Sequence, residues 1–399
     1  AVMIERAKMP AALPGPCAVI AVDNTRQALG RLAARYRADF DLPVIAVGGS
    51  NGKTSAKELL ASVLRQKLKT LWSEASFNND IGVPMTLLNL EKTHQAAVLE
   101  IGTNHPGELA PLVKMIQPRF GVITSIGREH LEFFGDLAGV AQEEGRLAEL
   151  LPVEGQLFVT GTSEWTDGIA RRTRAKVARV GLGENCDWRA RDARMEGQGM
   201  SFWVDGPAAD FAGEYRIQLL GRHQVANALF AVAIGAELGL SASEIRRGLI
   251  ECKPAKMRLQ IENWNGVCVL NDAYNANADS VLMALQTLRE MPCAGRRVAV
   301  LGDMAELGAQ TVAAHEEIGR KTAELGIDQL FAVGKMAGVI AGAARAAKMN
   351  QVVEFEDVKA AAAALKRLLK AGDAVLFKAS RAARLESLIE AWQSEEVKV

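Results

Sequence analysis

The chain has 399 residues, 47 basic and 47 acidic, and 49% of it is hydrophobic. Zero net charge excludes a general electrostatic grip on nucleic acid or a membrane surface, so any anion binding must be local. No apolar run is long enough to span a bilayer, no signal peptide is evident, and the length predicts two or three domains. The five cysteines, Cys17, Cys186, Cys252, Cys268 and Cys293, show no CxxC spacing. This argues against a disulfide framework or zinc site and for a reducing cytoplasm.

In chain order, "CAVIAV" (17–22) predicts a short strand. A helix follows, with Leu29, Leu32, Ala33, Tyr36 and Phe40 on one face and a cap among Asp23 to Thr25. "PVIAVGG" predicts a buried strand and "TSAKELLASVLRQ" the next helix. "AAVLEIG" (96–102), "FGVITSI" (120–126) and "GQLFVT" (155–160) repeat the pattern, which is that of a mostly parallel sheet covered by helices. Residues 186–220 alternate around glycine turns and predict a small antiparallel addition. Two helices follow, the second capped by Ser241 or Ser243. "CKPAKMRLQ" (252–260) is a plausible boundary, after which strands and helices restart as a second doubly wound unit. The expected class is therefore α/β: a central domain with a P-loop-type, mostly parallel sheet, and a C-terminal Rossmann-like domain.

Between the strand and helix near residue 50 lies Gly49-Ser50-Asn51-Gly52-Lys53-Thr54-Ser55. A strict P-loop has four residues between its glycines, but Val47 stands where the first would be. The chemistry still suits a triphosphate. Glycines let backbone N–H groups turn onto phosphate oxygens, and the helix N-terminus adds partial positive charge. Lys53 would reach the terminal phosphates and Thr54 would ligate Mg²⁺. Magnesium takes hard oxygen ligands, and Glu100 and His130 both fall just past strand ends, where ligands gather in such sheets.

The stretches "DNTRQALGRLA", "GSNGKTSAKE", "FNNDIGVPMTLL", "LEIGTNHPGELA", "HLEFFGDLAGVA", "GRHQVANALFAVA", "DAYNANADS", "AVLGDMAELG" and "KASRAARLE" run in order across nearly the whole chain. Together they resemble the Mur ligases of peptidoglycan synthesis, in particular the branch that joins D-alanyl-D-alanine to UDP-N-acetylmuramoyl-tripeptide. The resemblance implies an ATP-dependent amide-bond ligase working through an acyl phosphate. It implies that Lys53, Glu100, His130 and Arg258 serve catalysis, and that Asn227 reads the adenine. Asp272 would contact the ribose, with Tyr274 and Asn275 beside it. Asn78, Asn79, Asp80, Asn104, His105 and Asn277 would border the substrate. Lys378, Ser380 and Arg381 would lie near the amine substrate, where a cation could hold its free carboxylate. It further implies residues 1–25 as the remnant of a UDP-sugar-binding domain, 26–253 as the ATP-binding domain and 254–399 as the C-terminal ligase domain, with a monomer expected.

Three departures stand out. The family has a lysine, carbamylated by CO₂, in a helix pattern such as A-x-x-K-G-E, and its carbamate ligates a second Mg²⁺. Here "VAQEEGRLAELL" puts Glu144 at that place, where a carboxylate could replace the carbamate. The family also carries roughly 80 to 100 residues before the ATPase domain, a small domain's worth, whereas this loop begins at residue 49. Either the given sequence begins late or UDP recognition is lost. Finally, Ala278 and Ala379 replace residues common in the family, and Ala379 would strain a turn if φ there were positive. Two other readings remain: a non-catalytic ATP- or peptide-binding protein of the same shape, or a related ligase for another amino acid, such as the diaminopimelate-adding enzymes or folylpolyglutamate synthases. No D-N-P-R motif is present to favour the diaminopimelate type, and the lack of G-x-G-x-x-G disfavours an oxidoreductase.

Overall fold

The computed structural model describes residues 1–10, 15 and 17–394. Residues 11–14 and 16 of the expected N-terminal remnant, and 395–399 at the end of the expected C-terminal domain, lie outside the described residues. At the start, Val2–Glu5 and Val19–Val22 pair in parallel as a separate two-stranded sheet.

The helix Thr25–Arg37 begins where the Asn24 side chain accepts from the Gln27 N–H. Its inward face agrees in part with the expected one, with Ala33 buried and Tyr36 and Phe40 packed against the core. Leu32 is exposed, and Ala28, Ala33 and Arg37 face inward. The buried Arg37 guanidinium donates to the carbonyls of Ile116, Phe40 and Gln117. Those oxygens would otherwise lack partners at a helix end.

The central sheet has nine strands in the order Gly213–Ile217, Gly199–Asp205, Trp188–Glu196, Lys176–Gly181, Gln156–Thr160, Phe120–Ile123, Val44–Gly48, Ala96–Glu100, Thr70–Trp72. The last seven pair in parallel, and the first two add an antiparallel meander. The predicted antiparallel addition forms the edge of the main sheet. Helices Lys53–Leu64 and Arg222–Glu237 pack one face around Leu59, Leu60, Val225 and Phe230, while Thr25–Arg37 and Leu109–Ile116 cover the other. Val44–Gly48 lies between strands that come later in sequence. The loops that leave Val44–Gly48, Ala96–Glu100 and Phe120–Ile123 therefore open side by side at the carboxyl edge, where such sheets bind ligands.

The helix Ala242–Glu251 closes this half with a full capping box, in which Ser241 Oγ accepts from Glu244 N–H and the Glu244 carboxylate from Ser241 N–H. Ser241→Ala is expected to lower stability by about 1 kcal/mol, read by urea denaturation, with Ser243→Ala nearly silent. Residues 252–259 carry neither helix nor strand. Beyond them, six strands run Gln260–Trp264, Val267–Asn271, Ala374–Lys378, Arg297–Gly302, Gln329–Val333, Val352–Phe355, all parallel but the first. Helices cover both faces of this sheet around Leu285, Leu330 and Ile340 on one side and Phe331, Leu365 and Phe377 on the other.

Candidate functional site

A cleft of about 1120 Å³ opens between the carboxyl edge of the central sheet and the C-terminal domain. Its floor is the loop between Val44–Gly48 and Lys53–Leu64. Gly49 has φ +105° and Gly52 φ +90°. A Cβ on Gly49 would fall 2.5 Å from Thr124 Oγ1, and one on Gly52 2.6 Å from Asn227 Oδ1, so both conformation and crowding demand glycine. The loop is fastened to the next strand's exit: Ser50 N–H donates to Ser125 O at 2.9 Å, Asn51 N–H to Ser125 Oγ at 2.9 Å, and Gly127 N–H to Ser50 Oγ at 2.9 Å.

Lys53 begins the helix and folds back over its own loop. Its ammonium donates to the carbonyls of Gly49 and Ser50 and pairs with Glu129 at 3.3 Å. Burial works against that charge, but Glu129, Glu144 and Glu100 outweigh it and raise the lysine's pKa. Thr54 is buried with its hydroxyl 3.4 Å from Ser76 Oγ. Beside them lie two carboxylates, each 1% exposed. Glu100, last residue of its strand, accepts from Asn78 Nδ2 at 2.9 Å, and its Oε2 has no partner. Glu144 accepts from Gly49 N–H at 2.6 Å, and its Oε1 has none. Burial pushes the Glu144 carboxyl up to about 7, with Lys53 pulling the other way. A buried carboxylate oxygen without a partner is costly unless something cationic meets it.

The opposite wall is C-terminal. The Arg258 guanidinium lies over the Tyr274 ring at 4.2 Å. Asp272 accepts from Leu259 N–H at 3.1 Å and pairs with Lys378, whose ammonium also donates to Asn275 O at 3.1 Å. Asn275 and Asn277 line the cleft, as do the half-buried His223, which burial pushes down to about 4, and Gln224.

Several expected site residues are placed otherwise. Asn227 is buried behind Gly52 and donates to Gln224, so Gln224 and not Asn227 faces the cleft. Lys378 is only 2% exposed and props up Asp272, and its charge is disfavoured by burial, so it is no open anchor for a carboxylate. The Ser380 hydroxyl is spent on Asp303 O, while Arg381 sits exposed at the rim with Glu386. Asp80 turns out to Arg26, and His105 to Glu108 and the Phe133 ring. Asn79 accepts from Ile81 and Gly82 N–H at a short helix start and still lines the cleft, as does Asn104. His130 reaches the cleft with φ +49°, its Nδ1 held by Glu306. Ala379 is not at positive φ, so the alanine there strains nothing. Glu129 is the site residue that sequence reasoning passed over. Its neighbour His130 drew attention first, and only the fold shows that Glu129 meets Lys53.

Residues 47–235 match the family model of the Mur ligase middle domain, and residues 257–381 that of the Mur ligase, glutamate ligase domain. The chain is 37% identical over 377 residues to the UDP-N-acetylmuramoyl-tripeptide–D-alanyl-D-alanine ligase of Escherichia coli (strain K12), covering 93% of this chain and 81% of that one. It is 33% identical over 374 residues to the enzyme of the same name from Bacillus subtilis (strain 168), covering 93% and 80%. The crystal structure of MurF from Acinetobacter baumannii superposes with a TM-score of 0.87 at 32% identity, over 96% of this chain and 83% of that chain. The two family models together span most of the chain, and identities of 37% and 33% hold over 93% of it, which places the chain in the Mur ligase family.

Proposed function

We propose that the cleft carries out the reaction of the D-alanyl-D-alanine-adding branch with the residues assigned below. The chain is an ATP-dependent ligase that joins D-alanyl-D-alanine to UDP-N-acetylmuramoyl-tripeptide in peptidoglycan synthesis. The observation that carries the reading is the juxtaposition at Lys53: a phosphate-shaped loop, the buried Glu100 carboxylate with an open oxygen and a polar wall from the other domain share one cleft, with Glu144 buried behind the loop against Gly49.

A peptide carboxylate is a poor electrophile, so its oxygen first takes the γ-phosphoryl of ATP, with ADP leaving. The dipeptide amine then attacks the acyl carbon, the C–O bond to phosphate breaks, and the amine's proton is lost. Lys53 leaves the Gly49 and Ser50 carbonyls to hold the phosphoryl oxygens as charge develops on them, while the loop N–H groups fix the chain of phosphates. Asp272, Tyr274 and Asn275 face the nucleoside, with Arg258 stacked on Tyr274 and free to turn towards the phosphates. Asn78, Asn79 and Asn104 border the peptide.

Thr54 and Glu100 line the cleft with hard oxygens and would hold Mg²⁺, and Glu144, buried behind Gly49 with an unpartnered oxygen of its own, would act on it directly or through water. His130 would join them on release from Glu306. Among the described residues no three acidic, histidine or cysteine side chains form a ready cage. Held by these residues, Mg²⁺ would neutralise phosphate charge during transfer.

Phosphate release with ATP, Mg²⁺ and both substrates, with product mass in parallel, tests the assignment. Release that needs both substrates and yields pentapeptide supports it. Nucleotide binding without release would favour a non-catalytic binding protein instead.

A further inference from the structure

The segment just before His130 does more than lead to it. Arg128 is held from three sides by the C-terminal domain. Its main-chain N–H donates to Asp279 Oδ2 at 2.7 Å, its Nε to Asp279 Oδ1 at 2.8 Å, and a terminal nitrogen lies 2.6 Å from the same oxygen. The other terminal nitrogen meets Glu317 at 2.5 Å. Asp279 lies in the first turn of Ala278–Glu290 and Glu317 in the middle of Thr311–Glu324. A rigid guanidinium fork shared between two carboxylates on two helices fixes direction as well as distance, which a lysine cannot do. All three side chains are about three-quarters buried, so solvent screens them less than surface pairs.

Two glycines let the halves approach this closely. A Cβ on Gly127 would sit 2.8 Å from Asp279 Oδ2 and 3.1 Å from Asn51 Nδ2. Gly127 is not at positive φ, so the demand for glycine there is one of space alone. On the other side, a Cβ on Gly308 would meet Glu132 Cα at 3.0 Å. Around the fork, Asn277 Nδ2 donates to Asn51 Oδ1 at 3.0 Å, and Glu132 N–H to Glu306 O at 3.1 Å. The first of these joins the C-terminal domain directly to the phosphate loop.

We propose that Arg128 is a positioning residue that docks the C-terminal domain onto the phosphate loop. Through Asp279 it sets the start of Ala278–Glu290, through the adjoining Asn277 it sets Asn51, and so it brings the Asp272–Asn275 wall opposite Lys53. Arg128 touches no substrate in this role. The kinetic part of the test rests on the ligase reading, whereas the scattering part does not.

The experiment compares the parent chain with Arg128→Ala, Arg128→Lys and Glu317→Gln, the last a mild change on a partly exposed helix that removes only one arm of the fork. Small-angle scattering of each protein, alone and with ADP, gives the domain arrangement, a thermal melt shows that each is folded, and steady-state kinetics separate kcat from KM for ATP. Arg128→Ala should enlarge the radius of gyration in the more compact of these two states and lower kcat by about tenfold or more, because the reacting groups are no longer held in register. KM for ATP should stay within roughly threefold, since the loop itself is intact. Arg128→Lys and Glu317→Gln should fall between. Unchanged scattering in Arg128→Ala and Glu317→Gln overturns the proposal, whether or not activity falls, and so does an enlarged radius with unchanged kcat. If Arg128→Ala does not fold, Glu317→Gln and the parent in rising salt decide alone by the same readings. A parent that expands with salt supports the proposal, and one that does not, with Glu317→Gln like the parent, ends it. A parent without ligase activity would sink the functional reading and leave the scattering result to stand.

Discussion

Lys53→Met should slow phosphate release by about 10²–10³-fold, the usual cost of losing one donor aimed at charge that develops only in the transition state. The geometry explains why the loss falls on rate more than on nucleotide affinity. Lys53 is bound to two loop carbonyls and Glu129, so turning to a nucleotide exchanges those bonds for new ones and gains little in the ground state. ADP affinity, by calorimetry, should therefore fall far less than kcat. Removing the ammonium also leaves Glu129, Glu144 and Glu100 without their shared cation, so the variant's ligand-free melting temperature should drop as well. Turnover within threefold of the parent would remove Lys53 from the mechanism.

The second large effect concerns Glu144. Glu144→Gln keeps the shape and the acceptor for Gly49 N–H but removes the charge. The Mg²⁺ concentration for half-maximal activity should rise by about 10–100-fold, and Mn²⁺ bound with a non-hydrolysable ATP analogue, read by electron paramagnetic resonance, should weaken in step. Stability should move the other way. A carboxyl whose pKa climbs from 4.5 to about 7 on folding holds its proton more tightly in the native state. Native stability therefore falls as pH rises across that range, and the penalty is complete above it. Metal-free Glu144→Gln should melt higher than the parent above pH 7 and lose that advantage below about pH 4.5. Glu144→Lys supplies a carboxylate only when carbamylated, so its Mn²⁺ binding should depend on added bicarbonate while the parent's does not. Full Mg²⁺-dependent turnover in Glu144→Ala would end this account.

The strands and helices that carry the loop were legible because each has its own period and punctuation: "PVIAVGG" reads as a strand end and "TSAKELL" as a helix start with no help from the rest of the chain. Gln260–Trp264 was missed although its signal was present. Asn265 and Gly266, at φ +50° and +83°, form the kind of two-residue turn that marks a hairpin, but they lie beside a stretch whose Pro and Lys residues suggested a linker. Thr70–Trp72 is too short to show a period. The site was legible in its parts and not in its pairings. Glu144 could be singled out, yet its bond to Gly49 spans 95 residues, and no local pattern encodes such a contact. Lys378 looked like a free cation because sequence shows charge and hides burial, and the same blindness put Asn227 on the wall and left out Glu129.

The crowding of Gly52 against Asn227 has a consequence for how this site could change over generations. Any other residue at 52 needs both a left-handed backbone and the room now filled by the amide, so a new sequence there requires two changes at once, through an intermediate that works poorly. Escape from an inhibitor by single substitutions should then arise at the exposed rim, around Arg381 or Asn79, and not in the loop. A compound that takes its affinity from the loop's backbone amides would meet a target with few one-step exits, and a codon-by-codon survival screen would show this as an empty row at 52 beside a populated one at 381.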